Sequence, residues 1–264
     1  MWEKVWTQQE IDRLQFRGKY QVAELSPCLS CLTSSVDPAS YVDVGELLGT
    51  GSFGKVFKVA ELKTGEKFSC PSFILFDCLI KGKFFAMKII EKQKYLSTRE
   101  IERLVEERRI LASLCHPFIV RYETHFQTKS SVFLLMEYVS GGDLFKLLMS
   151  RKRFNQDSTR FYLSEVLLSL EYLHSLGIVY RDLKLENILI DAAGHVKLTD
   201  FGLSQVVGVA ESGRCWSLVG TVDYLAPEVL AGRQYSRAVD WWSFGVLGYE
   251  VCFLQGLDGT LNIL

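Results

Sequence analysis

The chain has 264 residues, 48% of them hydrophobic and 23% charged, with a formal net charge of −1. That length fits one large domain or two lobes, and the near-neutral balance excludes bulk electrostatic capture by nucleic acid or an anionic membrane. The seven scattered cysteines, odd in number and without a secretory leader before them, point to a reducing compartment.

Residues 1–40 read as a helical start followed by an irregular linker, with a Ser/Pro/Cys-rich patch from Ser26 to Ser35. Cys28 and Cys31 form a lone C-x-x-C, and without a second pair at ligand spacing they make no zinc site. From Tyr41 the pattern turns strand-like. Tyr41-Val-Asp-Val44 precedes a glycine-rich turn, Lys55 to Val59 alternates, and Phe84 to Ile90 forms a third strand. The apolar run Phe73 to Ile80 contains Asp77 and is too short to span a bilayer. A charged helix is predicted from Thr98 to Leu114, with Ile101, Leu104, Ile110 and Leu111 along one face and His116-Pro117 ending it. Val132 to Val139 is a further strand. After Gly141-Gly142 the spacing turns helical, over Asp143 to Met149 and Asp157 to Leu176. Two short strands, Ile188–Ile190 and Val196–Leu198, flank the turn at Asp191 to Gly194. A strand-rich part thus precedes a helix-rich part, and no internal repeat is visible.

Gly49-Thr-Gly-Ser-Phe-Gly54 fits G-x-G-x-x-G, whose glycines let backbone amides approach phosphate oxygens. A dinucleotide-binding turn would need a helix directly after it, and here a strand follows. A P-loop would need Ser or Thr after the lysine, and Val56 follows Lys55. By itself the loop is either a plain hairpin turn or a hairpin covering phosphates. Tyr180-Arg-Asp-Leu-Lys-Leu-Glu-Asn187 and Asp200-Phe-Gly202 shift that balance. Phosphoryl transfer needs a carboxylate near the attacking hydroxyl, cations over the phosphates, and oxygen ligands for a hard metal ion. Asp182 suits the first role, Lys184 the second, and Asn187 and Asp200 the third.

This order and spacing resembles the protein-kinase signature set. From Tyr41 to about Val251 the chain resembles the AGC group of serine/threonine kinases, and within it the cyclic-AMP-dependent kinases. The resemblance rests on Leu48 to Gly54, Phe85-Ala-Met-Lys-Ile-Ile90, Glu171 to Leu176, Tyr180 to Lys184, Gly213 to Leu218 and Ala238 to Trp242. It implies an α+β, two-lobed kinase-like fold, with an antiparallel sheet and one regulatory helix in the small lobe (41–139, insertion at 66–82). A mainly helical, incomplete large lobe would cover 140–264. It also implies ATP and Mg²⁺ as cofactors. Lys88 would bind ATP with Glu107 as its helix partner, Glu106 being the weaker candidate. Leu48, Gly49, Gly51, Ser52, Phe53, Gly54, Val56, Ala86, Met136, Glu137, Val139 and Leu189 would line the nucleotide site. Ser217 would be an activation-loop phosphosite, with Arg181 its partner and Arg103 a second candidate. An isolated loop cysteine such as Cys215 is expected merely to be exposed. Asp143, Glu186 and Glu250 would read Arg or Lys upstream of the acceptor, and Thr221 would contact Asp182 and Lys184. The partners implied are a protein substrate, an upstream activating kinase and a cyclic-nucleotide-regulated inhibitory subunit, in the cytoplasm or nucleus.

Two departures stand out. Glu66 to Gly82 interrupt what the family joins by a short turn, and the segment is unusually apolar for an exposed loop. It reads as folding against the small lobe, as binding a partner, or as sequence not selected for this fold. After Glu250 the family continues with further helices and a tail, so the chain reads as C-terminally truncated, with Glu228 lacking its usual Arg. A truncated, catalytically weak or inactive isoform that binds nucleotide or a regulatory partner is therefore the second reading.

Overall fold

A computed structural model describes residues 41–51, 54–61, 84–92, 98–127, 131–208 and 215–253. The predicted N-terminal extension, the 66–82 insertion and the residues after Phe253 lie outside the described residues.

Five strands form one antiparallel sheet: β1 (Tyr41–Gly51), β2 (Gly54–Glu61), β3 (Phe84–Glu91), β4 (Tyr122–Gln127) and β5 (Ser131–Glu137), in the order β1-β2-β3-β5-β4. Their side chains alternate with period two. Phe85 and Met87 of β3 and Leu135 of β5 join one apolar cluster, while Ile90, Val132, Leu134 and Met136 face the main core. Lys88 shares that inner face with Ala86 and Ile90, which is why a lysine becomes buried in a strand. The glycine hairpin closes by pairing Gly51 with Gly54. A Cβ on Gly54 would stand 2.3 Å from the Ile89 carbonyl oxygen, so no larger residue fits against β3 there.

Helix α1 (Thr98–Ser113) lays Ile110 and Leu111 on the core and carries Glu107 beneath the sheet. The helical part begins with α2 (Leu144–Arg151) and α3 (Gln156–Ser175). Each has a side-chain cap: Asp143 accepts from the Lys146 amide and Asn155 from the Ser158 amide, both at 2.8 Å. Beyond them lie β6 (Ile178–Val179), β7 (Ile188–Ile190), β8 (Val196–Leu198) and β9 (Gln205–Val206), with β7 pairing β8 and β6 pairing β9. A short α4 (Pro227–Leu230) precedes α5 (Ala238–Phe253), which packs on α3. Leu170 and Leu173 of α3 and Leu247 and Val251 of α5 share the main core. Among the described residues no helix is long and apolar enough to cross a membrane.

His116 sits between the two parts, its ring stacked on Tyr172 at 4.9 Å and its Nδ1 accepting from the Phe118 amide at 3.3 Å. Burial, aided by the charge of Lys197, pulls its imidazole from 6.5 down to about 4. Between those values the folded state binds fewer protons than the unfolded chain. The stability present above the unfolded value is therefore lost as pH falls towards the folded one. His116→Gln keeps an acceptor but cannot titrate. In urea unfolding it should remove about 1–2 kcal/mol of the acid-induced loss between pH 7 and 4.5; an unchanged slope would refute this assignment.

Candidate active site

The loop after β6 carries most of the chemistry, and α5 shapes it. Asp240 is fully buried and accepts from the amides of Tyr180 and Arg181, each at 2.9 Å, and from His174 Nε2 at 2.8 Å. The two amide bonds hold Arg181 at φ +69°, a left-handed conformation uncommon outside glycine. The Tyr180 hydroxyl donates to the Thr199 carbonyl and its ring meets Phe201 edge-on at 5.3 Å, which ties this loop to the Asp200 segment.

Asp182 emerges beside this anchor, almost wholly buried. Its Oδ1 accepts from Thr221 Oγ1 at 2.9 Å and its Oδ2 from Asn187 Nδ2 at 2.8 Å. Lys184 Nζ stands 3.1 Å from the same carboxylate and 3.0 Å from Thr221 Oγ1. Gly220, at φ +116°, lets Thr221 approach; a Cβ there would fall 2.7 Å from the Arg181 carbonyl oxygen.

Lys88 of β3 reaches Glu107 of α1 at 2.6 Å and Asp200 at 3.2 Å. Burial works against the Lys88 charge, but the two carboxylates outweigh it and hold the ammonium well above the ordinary lysine range. Burial also opposes charge on Asp200, yet Lys88 beside it keeps that carboxyl below its usual value. Glu106 points elsewhere and accepts from the Val206 amide.

Lys88, Glu107, Asp182, Lys184, Asn187 and Asp200 line one cleft of about 670 Å³ between the sheet and the helical part. Leu48, Val56, Ala86, Met136, Val139 and Leu189 form its apolar end, and Lys88, Asp182, Lys184, Asn187 and Asp200 its polar end. Gly49 lines it too, whereas Ser52 and Phe53 lie outside the described residues. Glu137 lines it as well, with one carboxylate oxygen accepting from the Arg121 amide at 2.8 Å and from Lys197 at 2.9 Å. Among the described residues no cluster of three His, Cys, Asp or Glu could hold a metal by itself. Asp200 and Asn187 offer hard oxygen donors of the kind that divalent ions such as Mg²⁺ take.

The remaining predicted residues surround this centre. Ser217 Oγ lies 2.9 Å from Arg181 Nη1, and Arg103 makes no hydrogen bond to it. Arg181 is further held by Leu203, Gln205 and Tyr235. Gln205 and Tyr235 carry no sequence signal for that role. Cys215 corrects the expectation of an exposed loop thiol. It is buried, pairs through its backbone with Tyr235, and packs with Val179 and Val239. Burial pushes its thiol up, away from the reactive thiolate. Glu186 is exposed at the cleft mouth, and Glu250 accepts from the Tyr224 hydroxyl. Asp143 is more occupied than predicted: besides capping α2 it pairs with Lys146 at 2.9 Å. Glu228 makes no ion pair among the described residues.

A family profile described as protein kinase domain matches residues 76–257. Ribosomal protein S6 kinase alpha-2 of Homo sapiens is 39% identical over 241 residues, which are 91% of this chain and 31% of that protein. Ribosomal protein S6 kinase alpha-6 of Mus musculus is 44% identical over 225 residues, 85% of this chain and 27% of that protein. The cAMP-dependent protein kinase type 3 of Saccharomyces cerevisiae is 43% identical over 204 residues, 77% of this chain and 46% of that protein. The chain therefore spans under half the length of each of these relatives.

Proposed function

The chain belongs to the protein kinase family, and from that premise we propose that it transfers the γ-phosphoryl group of ATP to serine or threonine of proteins carrying basic residues before the acceptor. The observation that carries this reading is the convergence of Lys88, Asp200, Asp182 and Lys184 on a single cleft, with Thr221 bonded to the last two. Lys88, fixed by Glu107, binds nucleotide phosphates. Asp182 accepts the proton of the acceptor hydroxyl as its oxygen forms a bond to the γ-phosphorus and the bond to the ADP oxygen breaks. Lys184 faces the charge that spreads over the transferring group. Asp200 and Asn187 are the residues that would hold Mg²⁺, which when bound neutralises phosphate charge.

Phosphate on Ser217 would meet the Arg181 guanidinium already at its oxygen, a charge-assisted bond that fastens the activation segment to the catalytic loop. An upstream kinase is the natural agent, and a cyclic-nucleotide-regulated inhibitory subunit a fitting partner. Incubation with ATP, Mg²⁺ and a peptide bearing Arg two and three residues before a serine should yield phosphoserine peptide and ADP. Nucleotide binding with no phosphopeptide would instead leave a non-catalytic binding fragment.

Glu186 and Glu250 carry the upstream recognition, with Asp143 weakened by Lys146. Lys146 is largely solvent-exposed, so its hold on Asp143 is slight and substitution gains are small. Lys146→Ser is expected to raise kcat/KM for the Arg-bearing peptide about two- to threefold over one lacking it. An unchanged ratio of the two peptides would remove Asp143 from substrate recognition.

A further inference from the structure

At the solvent edge of the cleft, three residues from different segments meet on one ammonium group, that of Lys58. Lys58 Nζ of β2 lies 2.9 Å from Glu46 Oε2 of β1. It also sits 5.0 Å from the ring centre of Phe84 on β3 and 4.6 Å from that of Tyr138, the residue after β5. The two rings pack edge to face at 6.3 Å. Both are within the range at which a cation is held by an aromatic quadrupole. Lys58 stands on the same face of β2 as Val56, two residues before it, which lines the apolar end of the cleft. Glu46 and Tyr138 are themselves at the cleft mouth. The register of β1 shifts on both sides of Leu47, and such irregularities re-aim a side chain; here the neighbouring Glu46 reaches Lys58. In the sheet, β1 is separated from β5 by β2 and β3, so backbone pairing links the cleft roof to the segment after β5 only indirectly.

We propose that Lys58 is a positioning residue that staples the glycine-hairpin roof of the cleft to the segment after β5, setting how tightly the cleft closes on an adenine nucleotide. The inference rests on the cleft being the nucleotide site, and it places Lys58 outside the reacting centre. It accounts for a lysine on the same face of β2 as Val56, at the edge of an apolar pocket. The prediction is a split between binding and turnover. Lys58→Met keeps the unbranched stem against the rings and removes the charge. It should weaken ADP binding, measured by calorimetry, roughly five- to tenfold, raise the KM for ATP by the same factor, and leave kcat within about twofold. Lys58→Arg, which stacks on aromatic faces and pairs with carboxylates, should restore wild-type affinity. A ligand-free readout separates the staple from the nucleotide assignment: in the Met variant, amide hydrogen exchange should rise in β1 from Leu47 to Thr50 while β5 is unchanged. Unaltered exchange and unaltered ADP affinity would overturn the proposal, as would a fall in kcat at constant KM. Faster exchange together with no ADP binding by the wild-type protein would overturn the nucleotide reading and with it this role for the staple.

Discussion

Asp182→Asn is expected to lower kcat for peptide phosphorylation by about 10²–10⁴-fold while changing ADP affinity by no more than about twofold. The size of the effect follows from the three donors around the carboxylate. Thr221 Oγ1, Asn187 Nδ2 and Lys184 Nζ all point hydrogen at Asp182. An amide at this position turns one acceptor oxygen into a donor and sets it against a neighbour that is also a donor. It also loses the basic group that takes the hydroxyl proton. The nucleotide contacts assigned to Lys88 and the apolar end of the cleft are untouched, and Asn187 keeps its 2.8 Å bond to the Asp182 carbonyl, so the loop retains its shape. Single-turnover kinetics with calorimetric binding checks both halves. Turnover within twofold of wild type would remove Asp182 from the reaction, and a parallel loss of ADP affinity would show that the substitution disturbs the cleft itself.

Much of this site can be read along the chain because its parts are local. Ile188–Ile190 and Val196–Leu198 occupy the predicted positions, separated by a turn that Asp191 and Gly194 favour. The pairing of Lys88 with Glu107 joins residues nineteen apart on a strand and the next helix, each placed by its own periodicity. Other parts are not local. Strand β4, Tyr122–Gln127, is polar at an edge of the sheet and carries no strong apolar alternation, so only its pairing with β5 defines it. The two-residue β6 and β9 exist through each other. Tyr235 reaches Arg181 across 54 positions of sequence, and nothing in its neighbourhood marks it. Asn155 caps α3 one residue before a helix that apolar spacing starts later, because a cap is set by a side-chain oxygen and not by periodicity. Cys215 reads as a loop thiol until the apolar cluster with Val179 and Val239 buries it. Arg181 at φ +69° and Asp200 at φ +56° are left-handed without being glycine, a conformation imposed by partners distant in sequence.

Those strained positions lead to the second large effect. Asp240→Ala is expected to cost about 3–5 kcal/mol of stability and to lower the unfolding midpoint by about 10 °C. One buried carboxylate serves three donors, the amides of Tyr180 and Arg181 and the ring nitrogen of His174. Its removal leaves a buried amide and a buried imidazole without an acceptor, each costing about 1–3 kcal/mol. It also frees Arg181 from the bonds that offset its left-handed backbone, a conformation worth about 1–2 kcal/mol of strain. Relaxation of Arg181 would carry Asp182, its neighbour, away from Thr221, and would move the guanidinium away from Ser217. Activity should therefore fall further than the loss of folded protein explains. The comparison is kcat per folded molecule, with the folded fraction set by circular dichroism at the assay temperature. Asp240→Asn, which keeps the shape and one acceptor oxygen, should fall between wild type and Ala in both properties. An Ala variant with the lower midpoint but wild-type kcat per folded molecule would show that the loop holds its geometry without α5. The carboxylate would then be an element of the core alone, and the anchoring of the reacting centre would have to come from the Tyr180–Thr199 and Ser204–Tyr180 bonds instead.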